Sequence, residues 1–552
     1  ALALLALLTF ARPAEAQVPD TARTAPPDTV RTAPPDTSDT SVERGEPELE
    51  TPLPFLTSVW GTPLADVNPV ETNASGFSDL IADAPGAFRY DLGATGWPHG
   101  WSMQGFNPQR PHLTLDGHAF TDPLTGRPRF DLLPMEFLRS PRIGAGAFGR
   151  VAGVQAETRR YDVERPLTEL RFRRHSEGMQ GIAVAHAQQR KISFGGTPGL
   201  FQIVGGYFGR GANNTYPNSD LSRERRWLGR LQYRRPGWSV ALSDLHTRHR
   251  VGAHGGVVPV GGAFGTVYNP TIAEVQSTDA RRQTLRNDLT LTARRAFTPQ
   301  HTSTVSARWT KHTFRYYTRT DTVDAVTNTY AGFLRHDATL GRHHLTAKLS
   351  GSIDRLSSGD ALGPDPGGRS RLHAVVRDSL GWGGTRLELD AGWHLGDGRN
   401  YPSASINVDR RWSGFRLFVS AALAGQPVSW VQERGFGSLI QPLGDPPTGQ
   451  IVRGEAGFAA QFGPFDARMS VFAHQIRDPI ELFAPEPGDT LAYRALDDPL
   501  QRAGATARIG WRRTAESGLY ATAQATAAQV LNETASADHR RIAETLPEAF
   551  GQ

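Results

Sequence analysis

The feature that most constrains this chain is a period-two alternation of apolar and polar residues, which returns in segments of about 8 to 14 residues from about residue 166 onward. In one segment Leu289 and Leu291 alternate with Asp288 and Thr290. Only a β-strand places two such sets on opposite faces. Similar segments lie at 345–354, 386–395, 415–423 and 465–473. The pattern predicts about 16 or 17 strands, separated by turn sequences such as Gly383-Gly384.

The two faces of these strands differ in composition. One face carries Arg, Asp, Glu, Lys and His, and the other carries mainly Ala, Gly, Leu and Val, with Trp238, Trp393 and Trp412 near strand ends. A soluble sandwich or propeller would also alternate, but no repeat of about 40 residues is visible. The combination favours a mainly β fold, a large antiparallel transmembrane β-barrel with lipid outside, a polar lumen and aromatic girdles. The residues expected to form a wetted lumen wall include Arg286, Asp288, Glu388 and Asp390.

The connections between the strands alternate between tight turns and long polar loops. The longest loops are expected around 210–225, 251–280 and 432–449. In outer-membrane barrels the long loops face the exterior. Their aromatic residues Tyr216, Tyr268, Trp430 and Phe436 are either part of a binding site or ordinary loop residues.

The amino-terminal residues predict export. The opening run ALALLALLTF is followed by Ala14-Glu15-Ala16, which fits the A-x-A rule for signal-peptidase cleavage, so residues 1–16 are read as a partial signal peptide. In residues 17–55 the unit DTARTAPP is followed by DTVRTAPP. So little apolar surface cannot repay the entropy of ordering, and the segment is predicted to be a disordered tether.

Composition excludes several other classes of protein. The 552 residues contain no Cys, so disulfides, thiolate metal sites and cysteine nucleophiles are excluded. A net charge of +5 is too small for a chain of this length to predict nucleic-acid binding. No segment has the roughly 20 nearly uninterrupted apolar residues of a membrane helix.

Motifs of enzyme chemistry are also missing. The run Gly144 to Gly149 matches G-x-G-x-x-G, but the sequence after it is typical of another strand rather than the helix of a dinucleotide site. None of the three lysines follows a Gly, so there is no Walker A loop, and neither H-E-x-x-H nor G-x-S-x-G occurs. His343-His344 is read as a solvated turn rather than a metal site. We therefore predict no enzyme activity, no cofactor and no metal.

Residues 56–163 do not follow the strand pattern of the barrel region, 164–552. Gly-led turns and short apolar runs predict a small α/β unit. Its expected elements are a helix from Ser78 to Ala84, a strand from Pro111 to Leu115, a turn at Asp116-Gly117 and a helical turn after Pro134.

This segment resembles the plug domain of TonB-dependent outer-membrane receptors over about 75 consecutive residues. The likeness includes a helix ending in a Pro-Gly step, a strand ending in an L-D-G turn, a D-P-L-T-G run and a Gly-rich stretch. The matching residues are Pro85, Gly86, Gly105, Leu115, Asp116, Gly117, Asp122, Pro123, Pro134, Glu136, Gly144, Gly146 and Gly149. The resemblance implies a plug inside a 22-stranded barrel, with the inner-membrane TonB complex as partner.

The sequence departs from the family pattern in two places. Gln104 stands before Gly105 where the family has Arg, so a plug charge is missing. No clear TonB box is found, and candidate segments lie between Pro47 and Trp60. The strand count of about 16 or 17 against 22 predicts that the carboxyl-terminal part of the barrel is incomplete.

The leading hypothesis is therefore an outer-membrane receptor, surrounded by outer-membrane lipid, that binds a scarce or large ligand and imports it into the periplasm with TonB-transmitted energy. The ligand, whether an iron chelate, cobalamin, a sugar or a peptide, is left open. The alternatives are a non-transporting surface or adhesion protein with a plugged barrel, and a soluble exported β enzyme.

Overall fold

A computed structural model gives the fold. It describes residues 62–63, 76–82, 84–90, 95–97, 100–106, 112–139, 141–144, 153–175, 178–213, 216–258, 272–320, 322–358, 362, 367–396, 398–437, 440–483, 491–512, 520–531 and 549–551. The predicted signal peptide, the predicted tether and the candidate TonB boxes lie outside these residues.

Most of the described residues belong to one closed antiparallel barrel. Each strand pairs with the next in the chain, and the last lies beside the first. Its strands are β8 Leu167–Arg174, β9 Gln180–Phe194, β10 Thr197–Ala212, β11 Leu221–Arg235, β12 Trp238–Gly252, β15 Arg281–Thr298, β16 His301–Tyr317, β17 Thr322–Leu340, β18 His343–Ser358, β19 Gly368–Trp382, β20 Thr385–Gly396, β21 Arg399–Trp412, β22 Phe415–Gln426, β24 Gly449–Phe462, β25 Phe465–Arg477, β28 Leu500–Arg512, β29 Tyr520–Val530 and β30 Ala549–Gly551.

Within the described residues the barrel closes with 18 strands. This is one or two more than the 16 or 17 strands that alternation predicts, and the incomplete carboxyl-terminal part of the barrel stays a prediction. Strands such as β29, whose sequence is mostly Ala, Thr and Gln, have too little polarity contrast to be recognised from alternation.

The two faces of the barrel are divided as the alternation predicts. Val419 and Val471 are 55% and 61% exposed on the outer face, whereas Glu388 and Arg377 are fully buried on the inner face. An apolar exterior around a charged interior is the arrangement of a barrel in lipid.

The connections divide the barrel into two ends. At one end, called the short-turn end, tight turns occur at 195–196, 236–237, 299–300, 341–342, 383–384, 413–414 and 463–464. At the other, called the long-loop end, the connections include 213–220, 253–280, 427–448 and 478–499. The loop expected at 210–225 is shorter than predicted, because β10 and β11 continue pairing up to Ala212 and Leu221.

Three short strand pairings in these long loops lie outside the barrel sheet. Strands β13 Val257–Val258 and β14 Glu274–Val275 form one hairpin, and β23 Ile440–Gln441, β27 Leu491–Ala495 and β26 Ile480–Phe483 form a three-stranded sheet. A helix, Trp430–Arg434, lies in the loop after β22.

The described residues between 62 and 163 form a small α/β unit inside the barrel, called the plug. It contains a helix Phe77–Ala82, 3₁₀ turns Phe130–Leu132 and Met135–Phe137, and strands β1 Thr62–Pro63, β2 Ala87–Tyr90, β3 Gly100–Met103, β4 His112–Leu115, β5 His118–Ala119, β6 Arg142–Gly144 and β7 Gly153–Ala156.

The plug helix forms where apolar residues recur at helical spacing. Phe77, Leu80 and Ile81 occupy one face and are buried in the plug core with Trp101 and Phe130. The helix ends two residues before the predicted Ala84, since Pro85 and Gly86 follow. The strand predicted at 111–115 is present from His112 to Leu115, and the turn at 116–117 and the helical turn after Pro134 are also present.

No described helix is both long enough and apolar enough to cross a membrane.

Candidate functional site: the cleft between plug and barrel wall

Three parts of the plug reach the long-loop end of the barrel. The ring of Trp97 lies 4.9 Å from that of His254, just beyond β12. Phe106 stacks on His474 of β25 at 4.0 Å. Leu124 packs in an apolar cluster with residues of the loop helix Trp430–Arg434. These plug loops are therefore the parts nearest to anything that arrives through the long loops.

The third of these loops, residues 122–126, is a rigid turn. The Asp122 carboxylate accepts hydrogen bonds from the backbone N–H groups of Leu124 and Thr125 at 2.9 and 3.3 Å. Arg129 contacts the same carboxylate at 3.2 Å and Asp131 at 2.6 Å. Burial alone would raise the pKa of Asp122, but the nearby cationic groups and the Leu124 N–H outweigh it and hold the pKa below its usual value. The charged Asp122 carboxylate therefore stabilises the turn from within.

The loop helix Trp430–Arg434 folds inward onto this turn. The N–H of Val431 donates to the carbonyl of Leu124 at 3.1 Å. A capping box holds the helix start: Gln432 N–H donates to Ser429 Oγ at 3.2 Å, and Ser429 N–H donates to Gln432 Oε1 at 2.8 Å. A loop that was predicted to be external thus makes a direct backbone contact with the plug.

Arg369, at the start of β19, holds the loop helix against the wall. Its guanidinium lies 4.1 Å over the buried ring of Trp430. It donates to the carbonyls of Val428 and Ser429 at 3.1 and 3.3 Å and pairs with Glu433. Cation–π stacking, charge pairing and carbonyl bonding by one side chain make this a specific attachment point.

A continuous cleft remains between the plug and the barrel wall. One cavity of about 350 Å³ is lined by Ser239 and Thr304 towards the short-turn end and by Arg399 and Glu433 towards the long-loop end. A second, of about 180 Å³, lies beside the 122–126 turn and shares His112, Ala119, Ala331, Ser352, Arg371, Pro427 and Val428 with the first. The cleft therefore follows the plug along the wall from one end towards the other.

The lining of the larger cavity is rich in cations. Eight Arg or Lys side chains line it against three carboxylates. Part of the wall is an aromatic ladder across β19, β20 and β21: His373 and His394 stack at 3.7 Å, and His394 and Tyr401 at 4.7 Å. A Cβ at Gly425 would lie 2.0 Å from the Tyr401 ring, so only glycine leaves room for this ring. A cation-rich, polar surface of this kind suits a polar or anionic ligand.

Cationic side chains of the barrel wall hold the plug by its turns. Each donates to a plug backbone carbonyl, and such charge-assisted bonds contribute about 1.5 to 3 kcal/mol each. The contacts are Arg226 to Leu133 at 2.6 Å, Arg286 to Thr121 at 2.8 Å, Arg308 to Leu115 at 2.9 Å, Lys348 to Gly117 at 3.1 Å and Arg502 to Gly105 at 3.1 Å. Sequence reasoning did not single out Arg226, Arg308, Lys348 or Arg502, although their inward strand parity and charge were a usable signal.

The predicted wetted wall is only partly correct. Arg286, Asp288, Glu388 and Asp390 do face the lumen, but all four are buried. Arg286 pairs with Asp288 at 2.7 Å and lies 3.9 Å over the plug residue Phe120. Asp390 is held by Arg377 at 2.5 Å. Ion pairs therefore hold Asp288 and Asp390, and Arg286 in addition contacts the plug.

Gln104, which replaces the family's Arg, meets a charge from the wall. Arg453 of β24 donates from Nε to the Gln104 Oε1 at 3.0 Å and pairs with Glu455 at 2.7 Å. All three side chains are buried. The guanidinium that the plug lacks is thus present on the barrel, two residues from its carboxylate partner.

The residues of the plug motif occupy turns and wall contacts. Gly105 and Gly117 have φ of 78° and 81°, and Asp116 accepts a hydrogen bond from the Thr158 N–H at 2.9 Å. Pro123 lines the smaller cavity. The remaining residues lie in the plug as follows: Pro85 and Gly86 after the helix, Leu115 at the end of β4, Pro134 and Glu136 at a 3₁₀ turn, and Gly144 in β6. Gly146 and Gly149 lie outside the described residues. The assignment of these residues to a plug motif stays a prediction.

Burial shifts the pKa values of two titratable groups of the plug in the direction that favours the neutral form. Burial lowers the pKa of His118 to about 2, with Arg308 and Lys348 acting in the same direction, and its Nε2 lies 2.8 Å from Ser306 Oγ. Burial raises the pKa of Glu136 against the opposing charge of Arg226. Among the described residues no group of three or more His, Asp or Glu side chains is placed to hold a metal ion.

Several solved structures share this fold. The siderophore receptor PirA from Acinetobacter baumannii is 14% identical, with 82% of this chain and 78% of that chain covered and a TM-score of 0.64. The FrpB iron transporter from Neisseria meningitidis (F3-3 variant) is 12% identical, with 87% and 82% covered and a TM-score of 0.65. A mutant of the ferric enterobactin receptor PfeA from Pseudomonas aeruginosa, in complex with enterobactin, is 12% identical, with 83% and 79% covered and a TM-score of 0.62.

Neither a protein-family model nor a curated protein matches the sequence. The similarity to solved structures therefore lies in the fold: this chain has the plug-and-barrel fold of TonB-dependent receptors, as the plug motif indicates.

Proposed function

We propose that this chain is an outer-membrane receptor that captures a scarce or large ligand at the long-loop end and imports it into the periplasm with energy from the inner-membrane TonB complex. In this proposal residues 1–16 are the signal peptide, 17–55 the tether, 56–163 the plug and 164–552 the barrel.

The observation that carries the proposal is the occupied bore. Among the described residues the plug is bonded to the wall on several sides, and cavities of about 350 and 180 Å³ lie beside it. Porin-like diffusion of a large solute needs an open aqueous channel. Passage here requires the plug to move, and breaking several charge-assisted bonds needs an energy source.

Uptake is the first test. Cells expressing the full chain, with and without a functional TonB complex, are given radiolabelled ferric siderophores, cobalamin, maltodextrins and peptides in turn. Uptake of one ligand that requires both this chain and TonB supports the proposal. Equal uptake with and without TonB rejects coupled transport, and binding without uptake favours the plugged surface protein.

A disulfide between the plug and the loop helix gives a second test, because the native chain has no Cys. The variant Leu124→Cys/Val431→Cys links two residues whose backbones are joined by a 3.1 Å hydrogen bond. For a ligand found in the first test, oxidation should abolish uptake and reduction should restore it. Each single-cysteine variant is the matched control, and full uptake through the oxidised pair would show that the plug turn and the loop need not separate.

A further inference from the structure

The outer face of the barrel carries a band of aromatic residues close to the tight turns. Six members of this band are 38% to 57% exposed. They are Phe297, Trp382, Trp412, Phe415, Phe462 and Phe465, and the half-buried Trp238 lies at the same level beside the turn at 236–237. Outward aromatic residues at one level of a barrel mark the boundary between hydrocarbon and headgroups.

Three arginines belong to the same band. Arg235 lies 4.5 Å over the ring of Trp238, Arg295 lies 5.2 Å from the Phe297 ring, and Arg410 lies 4.9 Å from the Trp412 ring. Two of these arginines flank one ring on neighbouring strands, because Trp238 is the cross-strand partner of both Arg235 and Arg295. We call these three arginines and their rings the arginine–aromatic belt.

The belt arginines differ from the arginines of the lumen. Several lumen arginines are paired with carboxylates, as in the pairs Arg286–Asp288 and Arg377–Asp390. Arg235, Arg295 and Arg410 form no ion pair with any carboxylate of the described residues. On the outer face of β19, the Asp378 carboxylate is bonded to His343 at 2.8 Å. The belt therefore has an excess of positive charge.

A cation at this level of a bilayer has a defined environment. Its aliphatic stem and the ring beneath it lie in hydrocarbon, and its guanidinium reaches the headgroups. The groups there that can accept its paired N–H donors are lipid phosphates, which match a guanidinium in two-bond geometry. Each basic residue near an anionic leaflet contributes about 1 kcal/mol.

We propose that the arginine–aromatic belt is a binding surface for anionic phospholipid in the leaflet at the short-turn end. The lipid phosphate occupies the place that a carboxylate takes beside Arg286 and Arg377, and Trp238 sets the depth of the headgroup between Arg235 and Arg295. This inference rests on the membrane location in the proposed function and not on transport.

Native mass spectrometry of the purified full chain tests the proposal with two probes, phosphatidylglycerol and phosphatidylcholine of the same acyl chains. The native protein should retain phosphatidylglycerol preferentially. The triple variant Arg235→Gln/Arg295→Gln/Arg410→Gln should lose about fivefold in affinity for each arginine removed, which is about 1 kcal/mol each, and should bind phosphatidylcholine as before. Arg319→Gln, at an exposed arginine of the long-loop end, is the matched control and should bind both lipids like the native chain.

Two results would overturn the proposal: equal retention of both lipids by the native protein, or an unchanged preference for phosphatidylglycerol in the triple variant. Circular dichroism confirms that each variant keeps its strand content. Failure of the native protein to insert into bilayers at all would instead count against the proposed membrane location, so the two failures are distinguishable.

Discussion

Gln104→Arg gives the sharpest test of how the plug is held. The substitution introduces the residue that the resembling family has at this position. A comparison with that family would predict a gain in stability. The structure predicts a loss, because the Gln104 Oε1 already accepts from the Arg453 guanidinium at 3.0 Å in a buried site. A second guanidinium about 4 Å away would repel the first by about 4 kcal/mol at an effective dielectric constant of 20.

Glu455 offsets part of this repulsion, since it lies 2.7 Å from Arg453, but one carboxylate cannot neutralise two cations. We therefore expect Gln104→Arg to lower the free energy of unfolding by about 3 to 5 kcal/mol. The swapped variant Gln104→Arg/Arg453→Gln retains one guanidinium, one amide and the carboxylate, and should recover to within about 1 kcal/mol of the native value.

Urea unfolding of the purified protein in detergent, followed by tryptophan fluorescence, measures these differences. Gln104→Met is the matched control: it removes the acceptor without adding charge and should cost about 1 to 3 kcal/mol. The electrostatic reasoning would be refuted by a swapped variant no more stable than Gln104→Arg, or by a Gln104→Arg protein as stable as the native chain.

Three further predictions follow from the plug and the loop. Gly105→Ala should cost about 1 to 3 kcal/mol in the same unfolding assay, because φ is 78° and the new Cβ would lie 2.6 Å from Arg502 Nη1; an unchanged urea midpoint contradicts this. Glu136→Gln should stabilise the protein at pH 7, because the raised pKa of Glu136 in the folded state means that the native protein loses stability as the pH rises. The gain in stability should disappear as the pH falls below about 4.3, the ordinary glutamate pKa. A gain that does not depend on pH refutes this prediction. Ser429→Ala should destabilise the loop helix by about 1 kcal/mol and speed hydrogen exchange at Gln432 N–H, with Ser413→Ala in a tight turn as control.

Much of the candidate site could not be predicted from the sequence. The turn at Asp116-Gly117 was predictable, because an L-D-G step requires a positive φ locally. The inward position of Asp288 was predictable from strand parity. The burial of Asp288 and its pairing were not, because they depend on the plug next to it. The inward fold of the helix Trp430–Arg434 was also missed, since a loop sequence carries no periodic signal of what it packs against.

The sequence by itself determined the properties that depend on neighbouring residues: an alternating array that must become a closed sheet in lipid, and a glycine-marked segment that must become the plug's turns. Tertiary structure alone decided which residues meet across the bore. Gln104 and Arg453 are 349 positions apart, and their contact depends on the stagger of every strand pair around the ring. No local sequence pattern encodes the combined stagger of all the strand pairs. The plug contacts, the cleft and the inward position of the loop helix could therefore be identified only from the closed barrel.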